Sequence, residues 1–128
     1  MIVYADGACR GNPGPMAAGA SIQTIEGIEL GNVSKPMGHG TNNEAEYLAA
    51  IAAVEKALEY GTGEIELRMD SQLVVKQLTG EFAIRKEELM PLREELLRLL
   101  RQYGSWKATL IRREQNQRAD ELANQAYS

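Results

Sequence analysis

The chain has 128 residues, 44% of them hydrophobic, and 14 Lys+Arg against 18 Asp+Glu give a formal net charge of −4. That length predicts one domain over 1–128, the apolar content excludes a disordered chain, and the charge argues against a simple, strongly basic nucleic-acid binder. A single cysteine excludes an internal disulfide, and no stretch reaches the ~20 apolar residues of a membrane span, so a soluble cytoplasmic protein with no membrane contact is expected.

The opening "MIVYADG" is β-prone and stops on Asp6, a carboxylate set directly against glycine and followed by the turn-forming "CRGNPGP". Cys9 reads there as a small, buried filler. The segments "AAGASIQTIEG" and "IELGNVSKPMG" alternate apolar and polar residues around a turn at Glu26-Gly27. Three short strands in a row predict an antiparallel meander. The period then changes. "NEAEYLAAIAAVEKALEYG" puts Leu48, Ile51, Ala52, Val54 and Leu58 on a helical stripe closed by Gly61, with Thr41 or Asn42 as N-cap. "EIELRMD" alternates again as a strand ending at Asp70, and Ser71 opens the short helix "QLVVKQLTG". "KEELMPLREELLRLLRQYG" is a third helix, with Pro91 tolerable only near its start or at a kink, and its stripe of Leu89, Leu92, Leu96, Leu99 and Leu100 belongs to the core. "WKATLIRR" is a fifth strand with Trp106 packing at its start, "REQNQ" a polar loop, and "RADELANQAYS" the last helix. Helices alternating with strands after Glu46 predict parallel pairing of the later strands. The expected class is α/β: a five-stranded mixed sheet with helices on both faces.

Asp6 and Asp70 then fall at the same edge of the sheet, the edge where open α/β sheets bind ligands. Glu46 and Asp120 sit in the first turns of two helices, so four acids from four elements can converge. Taken singly, each is also what a cap or a turn requires. Taken together, such acids repel, and an all-oxygen cluster suits Mg²⁺ or Mn²⁺. Two such ions roughly 3.5–4 Å apart can activate water and hold both oxygens of an in-line phosphoryl displacement. They would also bring the formal charge of −4 to zero, and no histidine is then needed beside the acids.

The blocks "DGACRGNPGP", "TNNEAEYLA", "MDSQLVV" and "NQRADELAN" resemble, in order and across essentially the whole chain, the four motifs of type 1 ribonuclease H. The resemblance implies the ribonuclease H-like fold and hydrolysis of the RNA strand of RNA–DNA hybrids, leaving 5′-phosphate and 3′-hydroxyl ends. It implies Asp6, Glu46, Asp70 and Asp120 as the catalytic metal ligands for two Mg²⁺, with Mn²⁺ as substitute. Asp6 would bridge the ions, Glu46 and Asp70 would complete one shell, and Asp120 would hold the second. Glu44 is turned about 200° from Glu46 on the helix and is expected to be solvated or dipole-favoured, not a ligand. By the same resemblance Asn12, Asn42, Asn43 and Gln72 would meet minor-groove edges and 2′-hydroxyls, which amides suit because they both donate and accept. For Asn12 and Asn42 a turn-capping role stays open. Thr41 matches a hydroxyl of the DNA-strand phosphate pocket.

Three departures qualify the match. The loop before the last motif lacks the histidine that many members use in product release. Glu114 is the acid in that loop, and it is either a transient metal ligand in product release or a solvated acid among Arg112, Arg113 and Arg118. The sole histidine, His39, precedes Thr41, where some members place an arginine against a DNA phosphate. The stretch "TGEFAIRKEEL" is too short for a basic protrusion, and no hybrid-binding domain precedes Asp6, so a monomer with no obligate protein partner and steep salt sensitivity is expected. A silent nucleic-acid-binding module and a DNA-cutting nuclease or resolvase on the same fold remain as alternatives.

Overall fold

The computed structural model describes residues 1–128. The alternating first third forms β1 (Ile2–Cys9), β2 (Gly14–Gln23) and β3 (Glu29–Gly40), paired antiparallel in sequence order. The parallel half adds β4 (Glu64–Met69) beside β1 and β5 (Ser105–Leu110) beside β4, giving the order β3-β2-β1-β4-β5. The helices are α1 (Asn42–Ala57), α2 (Gln72–Leu78), α3 (Met90–Leu100) and α4 (Gln117–Gln125). The expected five-stranded mixed sheet is therefore present, and no helix is long and apolar enough to cross a membrane.

Several boundaries differ from the sequence reading for physical reasons. Strand β1 does not stop at Asp6. It pairs with β4 only over Ile2–Tyr4, then continues against β2 until Cys9 meets Met16. Asp6 therefore lies just past the point where the sheet parts, with one flank no longer paired. The third helix starts at Met90, four residues later than its periodicity suggests, after a single 3₁₀ turn at Glu87–Leu89. Pro91 lacks an amide hydrogen, which suits the first turn of a helix and not its interior. Helix α1 likewise tightens into a 3₁₀ turn at Leu58–Tyr60 before Gly61. Cys9 is half-buried and not fully enclosed.

Helices α1 to α3 cover one face of the sheet, and α4 covers the other over β1, β2 and β3. Two glycines make this possible. A Cβ at Gly7 would collide with the backbone of Ala45 and Glu46 in α1, and one at Gly19 with the backbone of Ala119 and Ala123 in α4. Both helices thus lie directly on strand backbone. On the larger side, Val3, Ala5, Leu67 and Met69 from the strands meet Tyr47 and Val54 of α1 and Leu96 and Leu100 of α3. The leucine stripe of α3 is core as expected, with Leu92 at its margin, and Trp106 packs against the same core. The alanine-rich inner face of α1 keeps that layer thin.

The other face is fastened by polar contacts. Arg118 holds Glu29 through two bonds of 3.1 Å, and the Ser34 hydroxyl donates to the Leu122 carbonyl at 2.6 Å. At the C-terminus the Tyr127 hydroxyl donates to the Pro15 carbonyl at 2.8 Å, and the Arg10 guanidinium stacks 3.8 Å from the Tyr127 ring centre.

Candidate active site

Consecutive strand residues point to opposite faces. Gly7 faces α1, so Asp6 faces α4, directly opposite Gly19 in the sheet. The space that Gly19 leaves lets α4 bring Asp120 toward Asp6, near enough to help raise the Asp6 carboxyl. From the α1 side, Glu46 reaches the strand end, where the Gly7 amide donates to its Oε1 at 2.6 Å. Asp70 arrives as the first residue past β4. Asp6, Glu46 and Asp70 each offer an oxygen, and all three oxygens lie within 4.8 Å of one another. Asp120 meets the cluster through Asp6 and lies outside that threefold group.

The cluster is electrostatically uneasy by itself. Asp6 is only 8% exposed, and its carboxyl is pushed up to about 9, first by burial and then by the charges of Glu46, Asp70 and Asp120. Glu46 is raised to about 7, again chiefly by burial, against the Gly7 amide and the Arg113 charge, which favour its ionised form. Without a cation, protons must fill the site; a divalent cation can displace them by neutralising the same repulsion. An all-carboxylate donor set of this spacing fits a hard, oxygen-loving cation.

The other polar residues singled out in the sequence sit as follows. Asn12, in the β1–β2 turn, accepts from the Asn42 amide at 3.0 Å and so clips that turn to the start of α1. Thr41 is the N-cap: its hydroxyl accepts from the Glu44 amide at 3.2 Å, and Glu44 Oε1 accepts from the Thr41 amide at 3.1 Å. Of the two expectations for Glu44, solvated or dipole-favoured, the second holds: it is the half-buried acid of the first turn of α1, completes this capping box and lies outside the acid cluster. Asn43 is half-buried and three residues before Glu46, hence on the same side of α1. Asn42 and Gln72 are exposed, and Gln72 opens α2 two residues past Asp70. His39 is exposed on β3 opposite Pro15.

The loop before α4 contains a 3₁₀ turn at Arg113–Gln115. Glu114 is exposed there and pairs with Arg112 at 3.3 Å. Arg118 does not flank it as a free cation, because Glu29 and Glu121 hold it. One hollow, lined by Asp70, Gln72, Arg112 and Arg113, opens on the acids. Another is lined by Asn43, Leu73, Phe82, Arg85 and Lys86 and includes none of the four acids. Sequence reasoning missed two contributors, Arg113 as the cation acting on Glu46 and Asn116, whose Nδ2 donates to Asp70 Oδ1 at 3.1 Å. Asn116 stands one helical turn before Asp120 and opens the block "NQRADELAN", the two signals that could have drawn attention to it.

Comparison with known proteins gives a consistent picture. A family model described as "Reverse transcriptase-like" matches residues 4–126. The ribonuclease HI of Halobacterium salinarum is 46% identical over 96% of this chain, which spans 62% of that protein's length. The crystal structure of the RNase H1 from that archaeon superposes with a TM-score of 0.95 at 44% identity, covering 98% of this chain and 96% of that one. The N-terminal RNase H domain of a Mycobacterium tuberculosis protein, solved as a maltose-binding-protein fusion, gives 0.94 at 35% identity over 99% and 98% of the two chains. LC11-RNase H1, solved in complex with RNA/DNA hybrid, gives 0.92 at 37% identity over 98% and 94%.

Proposed function

Because the chain belongs to the type 1 ribonuclease H family, we propose that it hydrolyses the RNA strand of RNA–DNA hybrids at a two-cation centre, leaving 5′-phosphate and 3′-hydroxyl ends. The observation that carries this reading is the convergence of Asp6, Glu46 and Asp70 within 4.8 Å, joined by Asp120. Asp6, at the centre, would bridge the two sites; Glu46 and Asp70 would complete one and Asp120 the other. Mg²⁺ is the proposed ion, with Mn²⁺ as substitute. When bound, the cations supply Lewis-acid stabilisation at the scissile phosphate and make water a nucleophile at neutral pH.

The protein's own groups do the rest. The Gly7 amide and the Asn116 carboxamide hold Glu46 and Asp70 in place before any ligand arrives. The amides of Asn12, Asn42, Asn43 and Gln72 would read 2′-hydroxyls and minor-groove edges of the hybrid; Asn12 bonded to the start of α1, and Asn43 and Gln72 close in sequence to Glu46 and Asp70, support this. Thr41 and, more weakly, His39 would meet a phosphate of the DNA strand. Arg112 and Arg113 border the acids and would attract the backbone of the RNA strand. For Glu114 we retain a role in product exit as a proposal; its pairing with exposed Arg112 also fits a plain surface acid. The substitution Glu114→Gln should slow steady-state turnover while sparing the single-turnover rate if the acid acts in exit.

The decisive experiment is cleavage of labelled RNA–DNA hybrid, duplex DNA and duplex RNA, each with Mg²⁺ and with chelator. Cleavage confined to the RNA strand of the hybrid, lost on chelation and resisted within a run of deoxynucleotides, is the expected result. Equal cutting of duplex DNA would favour a resolvase-type nuclease instead.

A further inference from the structure

Asn116 is the last residue before α4, and only 1% of it is exposed. Its Nδ2 donates to two acceptors, the Ala5 carbonyl at 2.9 Å and Asp70 Oδ1 at 3.1 Å. Its backbone carbonyl accepts from the Asp120 amide at 3.1 Å. One residue thus ties together the strand position before Asp6, the carboxylate of Asp70 and the turn that carries Asp120. Its Oδ1 is a buried side-chain oxygen without a hydrogen-bond partner.

An orphaned buried acceptor is costly and calls for a reason. Helix capping is the ordinary reason for an asparagine here, but the Asn116 side chain makes no capping bond to α4. The side chain turns instead toward the strand ends and Asp70. The amide donated to Oδ1 fixes the rotation of the Asp70 carboxylate. A hydrated divalent cation retains several waters, which are hydrogen-bond donors of the kind that the protein does not offer to Asn116 Oδ1.

We propose that Asn116 is a positioning residue of the cation centre: its Nδ2 orients Asp70, its backbone anchors the turn bearing Asp120, and its free Oδ1 accepts a donor that enters only with a hydrated cation. This rests on the two-cation reading of the four acids. Partners of this kind, which orient ligands without touching the ion, commonly govern metal affinity by about 10- to 100-fold.

The test uses Asn116→Leu, which keeps the branched shape and removes both polar functions, and Asn116→Ser, which keeps a single short hydroxyl. Mg²⁺ and Mn²⁺ are titrated calorimetrically into each folded protein without substrate, and melting is recorded with and without cation. Both variants should bind cation about tenfold or more weakly, and the rise in Tm that cation produces in the wild type should shrink. A merely structural asparagine would lower the Tm of the variants and leave the cation affinity of the folded protein unchanged, and that outcome in either variant overturns the proposal. If Asn116→Leu does not fold, Asn116→Ser decides. Asp6→Asn serves as a control in the same titrations. Wild-type binding that Asp6→Asn leaves intact would overturn the cation centre itself, a result distinct from the failure of Asn116 alone.

Discussion

A carboxyl buried among three others has two ways to exist, protonated or beside a cation, and Asp6 is such a carboxyl. With its carboxyl raised to about 9 and that of Glu46 to about 7, the folded protein without cation binds protons that the unfolded chain has released. Stability therefore declines as pH rises: the contribution of these two groups is whole below about 4, shrinks through neutrality and is gone above about 9. Chemical denaturation in chelator across that range should show the fall, and saturating Mg²⁺ should flatten it. Asp6→Asn removes a carboxyl that must take up a proton on folding at pH 8, so its Tm in chelator at that pH should exceed that of the wild type. The same substitution, and Asp70→Asn, should reduce hydrolysis to background in saturating Mg²⁺ while far-ultraviolet circular dichroism stays native. Near-wild-type turnover of either would remove the acids from the mechanism. The four acids were legible because each falls in a short motif close to where the sequence period changes. Asn116 and Arg113 were not, since an asparagine before a helix reads as a cap, and an arginine in a polar loop reads as solvated.

At the scale of elements, the edge that carries the amides is built from pieces far apart in the chain. The turn bearing Asn12 is held by the Asn42 amide on one side and by Tyr127 on the other. Tyr127→Phe deletes the bond to the Pro15 carbonyl, worth about 1 kcal/mol, and keeps the stack with Arg10. The expected outcome is a raised KM for hybrid, a kcat within about twofold of wild type and a slightly lower Tm; an unchanged KM would show that the C-terminus does not support this turn. The type and order of the elements were readable because the sequence period switches between strand and helix spacing and turn residues mark the breaks. Their ends were not. Pairing with β2 carried β1 past Asp6 to Cys9, and Pro91 delayed α3, so a neighbour in one case and a missing amide in the other set the boundary.

For the whole molecule, a net charge of −4 must coexist with a polyanionic substrate. The exposed cations Arg112 and Arg113 line the hollow that holds Asp70, and Arg85 and Lys86 line another with Asn43. If these four neutralise phosphates, binding of the inactive Asp70→Asn protein to hybrid should weaken about a hundredfold between 50 and 200 mM salt. A flat salt profile would contradict phosphate contacts by these residues. The two glycine contacts have a different consequence. Because α1 rests on Gly7 and α4 on Gly19 through main-chain atoms, the separation between Glu46, Asp6 and Asp120 is set by peptide dimensions and not by the girth of any core side chain. Robustness and catalytic competence should therefore come apart. Leu96→Ala, fully buried in the α3 layer, should cost about 2–5 kcal/mol and lower the Tm substantially. Below its own melting transition it should keep a kcat close to wild type, because the ruler that spaces the acids is the backbone itself.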